Sequence, residues 1–142
     1  MTMPQDTPMA PTPVIVETPY AGAVSTHLRY LRACMRDCLM RGEAPFASHH
    51  LYTAPGVLRD EIPDERAHGI RAGFAWRALA HRTVFYIDFG WTPGMHMARE
   101  AAASIAQPWE VRRLGDDWLD AQLEREARGD ALMHWFRSVA AP

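Results

Sequence analysis

Apolar and polar positions along this chain mark out four extended segments alternating with helical ones. Residues 14–17 (Val-Ile-Val-Glu) are a β-branched run of the buried-strand type. From 23 to 41 the apolar positions Val24, Leu28, Leu31, Met35, Cys38 and Leu39 recur at helical spacing, and Gly42 ends the pattern. Residues 44–53 predict a short extended segment, followed by a loop over 54–63 with two prolines, a glycine and several charges. Asp64 is a good N-cap for a helix to about His81, with Ala67, Ile70, Phe74 and Ala78 inward. Residues 83–88 read as the next strand. Pro93 opens a helix to about Gln107, Pro108 ends it, and 109–113 is a last short strand. A polar helical stretch begins at Asp116 and is expected to break or kink at Gly129.

Strands alternating with helices predict an α/β fold. The expectation is a flavodoxin-like or Rossmann-like parallel sheet of about four or five strands, helices on both faces, and a C-terminal helical extension. The organisation expected is a disordered tail over 1–13, which holds four prolines, an α/β domain over 14–114, and the extension over 115–142.

Composition narrows the function. With 142 residues, 48 % hydrophobic and 23 % charged, the chain has the make-up of one globular domain with a real core. A net charge of −2 gives no reason to expect a nucleic-acid polymer or an anionic membrane as partner. All fifteen basic residues are Arg, so no Schiff-base or Walker-type lysine is available. No apolar run has the length of a membrane span or the form of a signal peptide, and a cytoplasmic location is expected. Cys34 and Cys38 share one helix face and read as small core residues. The seven histidines show no HxxxH or CxxC pattern, so neither a metal nor an organic cofactor is expected.

Two segments have the same build. After residues 14–17 comes Thr18-Pro19-Tyr20-Ala21-Gly22; after 84–89 comes Gly90-Trp91-Thr92-Pro93-Gly94-Met95. Strand, Gly/Pro turn and helix is how open α/β sheets build a ligand crevice at the carboxyl ends of their strands. Backbone N–H groups near Ala21 and Gly22, and near Thr92 and Gly94, then suit an anion such as phosphate. Tyr20 is placed to stack on a base or touch a sugar. One of His49 and His50, on opposite faces of an extended segment, is expected to point into the crevice as a hydrogen-bond donor. Asp88 ends its strand beside the crevice as a candidate acid or base. The charges Arg59, Asp60, Glu61, Asp64, Glu65 and Arg66 read as a solvated face and a helix cap.

The segments TPYAG, APFASHHLYT, DERAHGIRAGFAW, VFYIDFGWTPGM and QPWEVRRL, in that order over residues 14–114, resemble small phage and bacterial proteins of the nucleoside 2-deoxyribosyltransferase superfamily, which includes nucleoside-monophosphate N-glycosidases. The resemblance implies a flavodoxin-like sheet, a homodimer, and cleavage of the N-glycosidic bond of a nucleoside or nucleotide by a glutamate nucleophile. The family's turn runs Ser-x-Gly-Met-x-x-Glu. Thr92, Gly94 and Met95 match its first three fixed positions, and Ala98 stands where the glutamate is expected. The candidate ligand set is then Thr18, Tyr20, Ala21, Gly22, His49, His50, Thr92, Gly94 and Met95, and Asp88 or Tyr20 is expected to assist a carboxylate at position 98. The alternative is a non-catalytic nucleotide-binding or sensing domain of the same fold, which Ala98 favours. Near the C-terminus, Trp118, Leu119, Leu123, Leu132, Trp135 and Phe136 exceed what a solvated tail needs and point to a homodimer interface.

Overall fold

The computed structural model describes residues 10–140, with the side chains at 130–133, 136 and 140 outside that description. The elements run β1 (Thr12–Glu17), α1 (Val24–Met40), β2 (Glu43–Phe46), α2 (Ser48–Leu51), α3 (Pro63–Ala75), a single 3₁₀ turn (Arg77–Leu79), β3 (Arg82–Tyr86), α4 (Pro93–Ser104), β4 (Trp109–Arg112) and α5 (Trp118–Ala140). The four strands form one all-parallel sheet in the order β2-β1-β3-β4. The expected α/β parallel-sheet architecture is thus what the chain adopts, with four strands.

Both faces of the two central strands are buried, which is why β1 and β3 read as continuous apolar runs. On one face Val14, Val16, Val84 and Tyr86 pack against Tyr30, Leu31, Cys34 and Cys38 of α1. On the other, Phe85 packs against Met95 and Ala98 of α4. The buried stripe of α1 is Tyr30, Leu31, Ala33, Cys34 and Cys38, rotated from the expected one; Val24 and Leu39 face solvent. Tyr30 turns the helix this way, since its hydroxyl donates to Asp88 at 2.5 Å while its ring packs in the core.

Three expectations are corrected. The segment 44–53 is not one strand: β2 ends at Phe46, Ala47 is still extended, and α2 follows. Gly73 of α3 permits this, because a Cβ there would lie 2.7 Å from Ser48. The N-cap of α3 is Ile62, with Pro63 in the first turn and Asp64 and Glu65 behind it; proline's fixed φ sets the helix start. And α5 runs unbroken through Gly129. One glycine costs a helix roughly 1 kcal/mol against alanine, less than the surrounding run of good helix formers supplies. At the other end, Thr12 and Pro13 join β1 rather than the tail, Pro13 accepting from the His81 N–H at 2.9 Å. Of the rest of the predicted tail, residues 1–9 lie outside the described residues.

Candidate functional site

After β1 the chain crosses to α1 on one face of the sheet, and after β3 to α4 on the other. The crevice between such diverging connections is where open α/β sheets hold ligands. Here it is a cavity of about 530 Å³, a size that suits a drug- or nucleotide-sized molecule. Thr18, Tyr20, Ala21 and Gly22 line it from the first turn, and Thr92, Pro93, Gly94, Met95, Met97 and Ala98 from the second. The two like-built turns therefore meet in one cavity.

Local sequence explains each wall. Gly22 has φ +87, a left-handed conformation that favours glycine, and it turns the chain from β1 into α1. The Val24 N–H donates to the Gly22 carbonyl at 2.8 Å, and no side chain caps the other backbone donors of the first turn of α1. Thr92 caps α4 by accepting from the Met95 N–H at 3.2 Å, with Pro93 at the first helical position. That cap fixes the helix start and so carries Ala98 into the wall, 1 % exposed, against Phe85.

His49 lines the cavity from α2, its Nε2 2.8 Å from the Thr18 hydroxyl. Burial pushes its pKa down to about 4, helped by nearby His50 and His27, so the ring is neutral at neutral pH and can donate only one proton. His50 does not line the cavity: the two histidines sit on a helical turn, about 100° apart rather than on opposite strand faces.

Asp88 is not at the cavity either, which corrects its expected role. Its carboxylate accepts from the Tyr30 hydroxyl and from the backbone N–H groups of Leu114 and Gly115 at 2.9–3.1 Å. Burial works to raise its pKa, but these hydrogen bonds outweigh it and hold the group below the usual carboxylate value. It pins the loop after β4 to the end of β3. Glu100, four positions from His96, is exposed and away from the cavity. Arg99 is half-buried over the Trp91 and Trp109 rings at 5.2 and 5.9 Å. Cys34 and Cys38 are buried free thiols, and burial pushes the Cys38 thiol up to about 11.

Sequence reasoning missed four lining residues with polar heads: Glu17, Ser48, Asp60 and Arg66. Asp60 and Arg66, read as a solvated face, pair at 3.2 Å on the cavity wall. Glu17 closes β1, and its Oε1 accepts from Arg77 Nη2 at 3.0 Å. A carboxylate at the carboxyl end of an otherwise apolar central strand was the available signal. Ile70 and Phe74, expected inward on α3, add an apolar wall. Among the described residues no three His, Cys, Asp or Glu side chains are grouped to hold a metal ion. Nor is any helix there long and apolar enough to cross a membrane.

Residues 12–112 match the model of one protein family, described as a domain of unknown function, DUF7768. The chain belongs to this family. Its matched region runs from the first residue of β1 to the last of β4, so it holds the whole sheet and every lining residue of the cavity. No curated protein and no solved structure matches the chain.

Proposed function

We propose that the cavity takes a nucleoside or nucleoside monophosphate and serves hydrolysis or transfer at its N-glycosidic bond. One observation carries the reading: the Thr18–Gly22 and Thr92–Ala98 turns, which hold the residues resembling deoxyribosyltransferase-type proteins, line a single cavity. A phosphate fits the first turn of α1, which no side chain caps, and the Arg66 guanidinium, both of which favour an anion. The flat ring of Phe74 and the apolar side chains of Ile70 and Met95 suit a base. Cleavage passes through a cation-like sugar that a nearby carboxylate stabilises. Such a substrate fits a cytoplasmic protein that draws on the cell's nucleotide pool.

Ala98 favours a second reading, a nucleotide-binding or sensing domain without catalysis, since it places a methyl group in the wall where a carboxylate nucleophile is expected. A panel of nucleosides and nucleoside monophosphates separates the two. Titration calorimetry reports binding and chromatography reports free base. The catalytic reading expects both; the sensing reading expects binding alone. Ala98→Glu returns a carboxylate to the wall and should raise base release about a hundredfold, as a positioned nucleophile is worth several kcal/mol of barrier. If no member of the panel binds, the nucleotide reading is wrong.

A further inference from the structure

With alanine at 98, any carboxylate for glycosidic chemistry must come from another wall of the cavity. Among the described lining residues there are two, Glu17 and Asp60. Asp60 lies on the loop before α3 and pairs with Arg66, whose side chain is 46 % exposed. Glu17 is the last residue of β1 and is in register with Phe85 of β3. Side chains alternate along a strand, and Glu17 follows Val16, which packs on the α1 side. Glu17 therefore projects from the face of the sheet that α4 covers, the face where Phe85 meets Met95 and Ala98.

The carboxylate is held at one oxygen and open at the other. Arg77 Nη2 donates to Oε1 at 3.0 Å, and no other described residue hydrogen-bonds this carboxylate. Arg77 is itself fixed. It is 3 % exposed, donates from Nη1 to the Thr83 hydroxyl at 2.5 Å, and lies over the Phe74 ring at 5.0 Å. Glu17 thus has a set orientation, with Oε2 free to face the cavity that the residue lines.

We propose that Glu17 is the catalytic carboxylate of this chain, the general base for a water that attacks the anomeric carbon. The proposal rests on the nucleotide reading above. The water oxygen bonds to C1′ as the C1′–N bond breaks, and the bond's electron pair leaves with the base. The water proton passes to Glu17 Oε2. The departing base takes up a proton from solvent, and Glu17 returns its own to solvent, so one water is consumed per bond cleaved. Arg77 is a positioning residue that orients the carboxylate. Burial raises the Glu17 pKa against the opposing pull of Arg77, which makes it a stronger base than an exposed carboxylate. Direct attack by water inverts the anomeric configuration, whereas a covalent carboxylate intermediate retains it.

The test is base release by the full chain and by Glu17→Gln with the same nucleoside and nucleoside monophosphate panel. Glu17→Gln should lower kcat about a hundredfold or more and leave the binding constant within a few-fold. The wild-type kcat should fall as Glu17 protonates at low pH, and that acid limb should be missing from the residual activity of the variant. The sugar released should have inverted configuration. Because Glu17→Gln removes the ion-pair partner of a buried arginine, Glu17→Gln/Arg77→Met is run beside it, with circular dichroism showing which variants fold. A folded variant lacking Glu17 that cleaves at the wild-type rate overturns the proposal. So does retained configuration, or wild-type binding without base release, which leaves the nucleotide reading standing. Absence of binding by every panel member overturns both.

Discussion

At the scale of the residue, His49 shows how burial sets chemistry. The unfolded chain holds it near the usual imidazole pKa, about 6.5, and the fold lowers it to about 4. Between these values the unfolded state binds the proton that the folded state refuses. His49 therefore costs stability progressively as pH falls from about 6.5 to 4, and costs nothing above that window. His49→Gln should show a shallower loss of stability across that window in urea denaturation at a series of pH values. An unchanged pH dependence would mean the ring is solvated. The same reasoning marks His49 as a neutral donor or acceptor toward a ligand at pH 7, opposite the hydroxyl of Thr18. Residue identity alone did not show this: adjacent histidines read as a strand pair, and only the helical turn of α2 buries one and leaves its neighbour away from the cavity.

At the scale of the element, the two edge strands are tied by charge. Glu43 of β2 accepts from Arg112 of β4 through two bonds of 2.7 Å, and both side chains are less than a tenth exposed. The Arg112 hydrogen bonds hold the Glu43 carboxyl below its usual value against the opposing effect of burial. A lowered carboxylate contributes stability that is complete above its unfolded pKa and is lost as pH falls through the folded one. Glu43→Ala should destabilise the fold by roughly 2 kcal/mol, because buried Arg112 loses two charge-assisted hydrogen bonds and keeps only the Glu110 carboxylate, at 2.6 Å, as an ion-pair partner. Denaturant melts should show it at pH 7, and the difference should shrink in acid. Neither residue gave a sequence signal beyond sitting in a short strand, since 69 positions separate them.

At the scale of the whole molecule, α5 extends the domain past the sheet. Its Trp118 packs against Tyr30 of α1 at 5.1 Å between ring centroids, while Leu119, Leu123, Trp135 and Val139 are exposed. The side chains of Leu132 and Phe136, which complete the predicted stripe, lie outside the described residues. On the other side of the sheet, Trp109 and Val111 of the edge strand β4 are also exposed. Apolar surface of this kind marks an interface more often than a solvated face, and a twofold assembly is the commonest way to cover it. Light scattering at micromolar concentration should give twice the 16.0 kDa chain mass. A mass of one chain would show that these side chains stay in water.

The sequence by itself determined the fold class and the place of the cavity. Buried parallel strands need continuous apolar runs, and the turns that follow them need glycine, proline and a capping hydroxyl; Val14, Val16, Val84, Gly22, Thr92 and Pro93 are local requirements that can be read one after another. Tertiary structure decided which side chains face the cavity. Glu17 and Arg77 meet across 60 positions, and Asp88, at a strand end that promised chemistry, is spent on the backbone of Leu114 and Gly115. Strand and helix periods fix which face a residue occupies, but its partner on that face depends on strand order and helix docking, and these arise only when distant segments of the chain pack together.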